Sequence, residues 1–91
     1  PSEAFRWTRG ESQVADFPLP DARYFGTAFC RRCGAGLPRL SRERGMAVVP
    51  AGSLDVDPGV RPSGHIYAGS KAAWFEITDD IPQFDEGPPP R

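Results

Sequence analysis

Two cysteines in 91 residues are too few for a disulfide-built secreted scaffold, and the single histidine leaves no paired-histidine metal motif. No apolar run approaches the ~20 residues needed to span a bilayer, and no signal-peptide pattern opens the chain, so a cytoplasmic protein away from membranes is expected. There is no amphipathic helix of useful length. Parallel α/β folds need crossover helices, so that class is excluded. A Gly-rich phosphate loop, a nucleophile elbow and internal repeats are also missing. Charge of one sign is not in excess, because the net value is −1. Residues 1–45 hold eight Arg against five acidic residues, and residues 46–91 hold three basic against seven acidic. That balance argues against nucleic acid as a partner, which calls for a clustered basic face. Arg31, Arg32, Arg39, Arg42 and Arg44 are read as solvated residues around turns, with a local basic patch as the alternative.

What the chain does have is turn-formers. Eleven prolines and ten glycines are about twice the usual share and imply short elements between many turns. The 38% hydrophobic and 11% aromatic content separates the chain from compositionally disordered ones. A chain of this length buries only about 60–65% of its unfolded surface, so the core is thin and any cross-link counts. Period-two alternation predicts strands at Phe5–Thr8, Ser12–Phe17 and Tyr24–Phe29, the last with Phe25, Thr27 and Phe29 on one face. Leu37–Ser41 and Met46–Pro50 flank Arg42-Glu43-Arg44-Gly45, a four-residue hairpin loop with Gly45 at positive φ. Residues 51–64 read as a loop, His65–Ala68 as a short strand, and Ser70 as the cap of one helical turn reaching Trp74. The fold class is therefore all-β, built of short antiparallel sheets with at most one short helical turn. One domain over residues 1–86 and a Pro-rich extended tail over 87–91 complete the organisation.

Cys30-Arg31-Arg32-Cys33-Gly34 is the strongest chemical signal. Two thiolates on one tight turn, with backbone N–H groups aimed at sulfur, suit a zinc knuckle, and Gly34 permits the sharp turn after the second ligand. Redox C-x-x-C pairs sit at a helix N-terminus, and Gly34, Gly36 and Pro38 oppose a helix here. A redox or disulfide pair and a pair of inert buried thiols stay open as alternatives. A tetrahedral site wants four ligands, and this turn supplies two. His65 is a chemically suitable third, although a lone histidine on a strand is more commonly a surface or packing residue. Trp74 and Phe75 are read as core aromatics, with a ligand-pocket wall beside Ser70 and Lys71 as the alternative. Asp79-Asp80 and Asp85-Glu86 are read as solvated carboxylates, with acid–base work by the pairs as the alternative.

The run Phe29-Cys30-Arg31-Arg32-Cys33-Gly34-Ala35-Gly36-Leu37 resembles the F-C-x-x-C-G-[SA]-x-L signature of the glutathione-dependent formaldehyde-activating enzyme family, also called the centromere protein V/Gfa domain. Gly52-Ser53-Leu54-Asp55 is similar to its G-[ST]-L-D turn. Pro62, His65 and Ile66 match P-x-x-H-I, Ser70-Lys71 with Trp74 matches S-[KR]-x-x-W, and Ile81-Pro82-Gln83-Phe84 matches the closing L-P-x-F. Phe5–Gly10 is similar to the strand preceding these motifs. The resemblance implies a β-tent of short antiparallel sheets with a structural zinc held by four cysteines, two of which map onto Cys30 and Cys33. It also implies a second, catalytic zinc on an upstream C-x-C-x-x-C segment, and carbon–sulfur lyase chemistry on glutathione adducts such as S-(hydroxymethyl)glutathione. None of those upstream cysteines occurs here, so no catalytic residue is assigned in this chain. Two expectations follow: a family enzyme whose sequence here begins mid-pattern, or a non-catalytic zinc-ribbon-like module that completes its metal site across a homodimer.

Overall fold

Short strands separated by proline- and glycine-bearing turns make up the first half of this chain. The computed structural model describes residues 1–89, so Pro90 and Arg91 of the expected tail lie outside the described residues. The chain forms two units, Pro1–Val56 and a second that begins at Asp57. In the first, strand β1 (Val14–Pro18) pairs antiparallel with β2 (Gly26–Cys30), in a register running from Val14 opposite Cys30 to Pro18 opposite Gly26. One more backbone hydrogen bond crosses beyond the Pro18–Gly26 pair, from the Leu19 N–H to the Phe25 carbonyl at 2.9 Å, before the chain turns away. Strand β3 (Arg39–Ser41) pairs with β4 (Met46–Val48) around the Arg42–Gly45 loop, where Gly45 takes φ +64° as the hairpin requires.

The all-β reading holds: the described residues contain two small antiparallel sheets and four single 3-10 turns, at Ser2–Ala4, Glu11–Gln13, Ala51–Ser53 and Ala68–Ser70. No helix among the described residues is long and apolar enough to cross a membrane.

Several local expectations are corrected. Phe5–Thr8 is not a strand. It has no ladder partner among the described residues, and its alternation appears only as Phe5 and Trp7 meeting edge to face at 5.1 Å. Of the two faces of strand β2, the one carrying Ala28 is covered, with Ala28 only 6% exposed while Phe25 and Phe29 stay exposed. The reason is room. Gly26 carries no Cβ, and the Arg39 side chain from β3 takes that space; a Cβ there would lie 2.5 Å from the guanidinium carbon. Arg39 then forks onto Asp16 of β1, with Nε at 2.8 Å from one carboxylate oxygen and Nη2 at 3.4 Å from the other, and donates from Nη1 to the Tyr24 carbonyl at 3.2 Å. The fork links the two sheets of the first unit.

In the second unit, His65–Ala68 does not form a strand. Tyr67 sits in the left-handed region at φ +55°, which breaks extension and leaves a single parallel bridge between His65 and Gln83. The helical turn also moves. It covers Ala68–Ser70, and Ser70 ends it with its hydroxyl donating to the Tyr67 carbonyl at 3.4 Å.

Candidate metal centre

Strand β2 runs directly into the cysteine turn. The Gly34 N–H donates to the Cys30 carbonyl at 2.8 Å, and Gly34 takes φ +77°, which a side chain would strain. The chain then returns along β2: the Cys30 N–H donates to the Ala35 carbonyl at 2.9 Å, the Leu37 N–H donates to Ala28 at 2.9 Å, and Phe29 bridges antiparallel to Gly36. On the other side, the Arg31 N–H donates to the Gln13 carbonyl at 2.8 Å. The knuckle is thus fixed on both flanks by backbone hydrogen bonds.

Inside the turn, amides face sulfur. The Arg32 N–H points at Cys30 Sγ at 3.4 Å. The Cys33 backbone N–H, with the Arg32 amide and the Cys33 side chain beside it, holds the Cys30 thiol below its ordinary range. Both thiols are free, with Cys30 half-buried and Cys33 exposed. A turn that favours thiolate and leaves its second sulfur accessible fits two corners of a tetrahedral zinc site. Among the described residues no group of three or more His, Cys, Asp or Glu side chains is assembled for a metal. The knuckle thus presents two sulfurs, with no third candidate ligand grouped beside them among the described residues.

His65 has a different partner. Its Nε2 lies 3.0 and 3.1 Å from the two Asp79 carboxylate oxygens, and Asp79 also accepts the Ile81 N–H at 2.9 Å. The imidazole first, and that amide second, hold the Asp79 carboxyl below the usual carboxylate range. Asp79 is thereby a structural acceptor and not the free solvated charge the sequence implied. Nothing in the sequence spacing marked this 14-residue pairing.

Trp74 and Phe75 do not form a core. Trp74 is 86% exposed, and both rings line an open cleft of about 410 Å³ with Lys71 and Glu76. Lys71 Nζ donates to the Phe75 carbonyl at 2.8 Å along the cleft wall.

Comparison with protein-family models adds one finding to this geometry. The model described as glutathione-dependent formaldehyde-activating enzyme matches residues 1–70, a stretch that includes the whole cysteine knuckle. The similarities at Lys71–Trp74 and Ile81–Phe84 fall beyond the matched stretch. Searches of curated proteins and of solved structures match nothing.

Proposed function

The chain belongs to the glutathione-dependent formaldehyde-activating enzyme family, and from that membership we propose that it is the scaffold of a zinc-dependent carbon–sulfur lyase acting on small thiol adducts of the S-(hydroxymethyl)glutathione type. The observation that carries the reading is the family match across a knuckle whose amides favour thiolate at Cys30. Cys30 and Cys33 hold two corners of a structural zinc. With only two cysteines in these 91 residues, the other thiolates of that site come from elsewhere. A catalytic zinc in such an enzyme supplies Lewis-acid polarisation of the adduct. The residues of this chain do other work: the β2–knuckle–return ladder orients the two sulfurs, and the Arg32 and Cys33 amides keep Cys30 ready to bind as thiolate.

A second reading is favoured by the lack of any three-ligand group among the described residues. In it the chain is a non-catalytic zinc-ribbon-like module, and two copies each contribute Cys30 and Cys33 to one closed four-thiolate site. Metal analysis with sizing separates the two. Two zincs per chain in the full-length protein, with turnover of the glutathione adduct, supports the enzyme. Half a zinc per chain in chelator-sensitive dimers supports the module. A metal-free protein with a Cys30–Cys33 disulfide contradicts both.

A further inference from the structure

The loop before β2 and the β3–β4 hairpin enclose a cleft of about 260 Å³ in the first unit, away from the cysteine knuckle in sequence. Its lining includes Arg23, Tyr24, Phe25, Arg39, Arg42 and Glu43. The charges here are not equivalent. Arg39 is already engaged by Asp16 and the Tyr24 carbonyl, so it is a fixed wall. Arg23 and Arg42 are exposed and form no ion pair among the described residues.

Two guanidinium groups lie against the Tyr24 ring. The Arg23 and Arg44 guanidinium carbons lie 5.1 and 4.8 Å from its ring centroid. Stacking on the ring orders the Arg23 side chain at the cleft and so lowers the cost of engaging a ligand there. Glu43 adds one carboxylate to the same lining. Guanidinium donors unmatched by carboxylates, with a single acid among them, suit a ligand that carries a carboxylate and an ammonium side by side.

We propose that this cleft binds the α-amino-carboxylate end of a small molecule, the carboxylate going to Arg23 and Arg42 and the ammonium to Glu43. The assignment does not depend on the lyase reading, since it needs no sulfur. Glutathione carries such an end, so the cleft would anchor the adduct by the part of it remote from the thiol.

The test is an amide chemical-shift titration of the whole chain with two probes, L-glutamate and glutathione. Saturable shifts over residues 22–25 and 39–43 are expected with both. Arg42→Ala and Arg23→Ala, both at exposed positions, are each expected to weaken binding roughly tenfold with the rest of the spectrum unchanged. Glu43→Gln is expected to weaken L-glutamate but not N-acetyl-glutamate, which has no ammonium. Equal shifts from inorganic phosphate at matched ionic strength would overturn the proposal, because they mean an indiscriminate anion patch. Glutathione shifts confined to other residues would also overturn it while leaving the thiol-adduct reading intact. Glutamate bound in the cleft with no binding of glutathione would support the cleft and count against the thiol-adduct reading.

Discussion

Gly26 and Asp79 show what single residues contribute here. A methyl group at Gly26 meets both the Arg39 guanidinium and the Phe17 carbonyl oxygen, the latter at 2.8 Å from the added carbon. Gly26→Ala should destabilise the chain by about 1–3 kcal/mol, the usual range for overpacking, as read from urea unfolding. An unchanged midpoint would mean that Arg39 simply swings away. Asp79 has a lowered pKa in the folded chain, so its contribution to stability is present above the unfolded value, about 3.9, and fades as pH falls through the lower folded value. The Ile81 amide reports this directly. Its shift should titrate with a midpoint below that of an ordinary Asp, and the inflection should vanish in Asp79→Asn. A midpoint at or above the ordinary value would contradict the His65 pairing. Residue identity made part of this legible: Gly45 and Gly34 take the positive φ that their places in the turns demand. It did not reveal His65 opposite Asp79, because a pairing across 14 residues depends on the path of the chain between them.

The strands were readable as elements and less so as faces. Alternation located β2 to within two residues, yet period two states only that two faces differ, not which one is covered. The alternation placed Phe25 and Phe29 on one face without saying which face is covered; the covered one is the small face of Gly26 and Ala28, where Arg39 takes the space. The β3–β4 hairpin was legible because its loop length and glycine fix the register at Ser41 opposite Met46. His65–Ala68 misled because its residues suit a strand while Tyr67 is held left-handed, its N–H bonded to the Glu86 carbonyl at 2.8 Å. The Arg39–Asp16 fork makes a testable claim about the sheets of the first unit. Arg39→Lys keeps the charge but loses the planar two-point contact, and with Asp16 half-exposed the cost should be about 1 kcal/mol in denaturant unfolding. Faster hydrogen exchange should appear in β1 and β3 of that variant. Unaltered exchange in both strands would mean the fork does not join them.

For the chain as a whole, the thinness of the core sets the terms. Ala28 is the one buried hydrophobic residue among those described, while Phe17, Val48 and Trp74 stay exposed. Composition foretold a thin core, but side-chain exposure depends on the path of the backbone and could not be read in advance. With so little apolar burial, the proposed metal cross-link would carry unusual weight. Structural zinc supplies on the order of 10 kcal/mol of apparent binding energy, comparable with the entire stability of an ordinary domain. In zinc-loaded protein, Cys30→Ser or Cys33→Ser should therefore lower the melting temperature by more than about 10 °C, and chelator should do the same to the unaltered chain. In the proposed site Cys30 and Cys33 bind zinc as thiolates, with sulfur at every corner. X-ray absorption at the zinc edge of the metal-loaded protein tests it most directly. A first shell of four sulfurs at about 2.3 Å, lost in Cys33→Ser, is expected; a shell containing imidazole nitrogen or carboxylate oxygen, or a protein that retains no zinc, would overturn the proposed site.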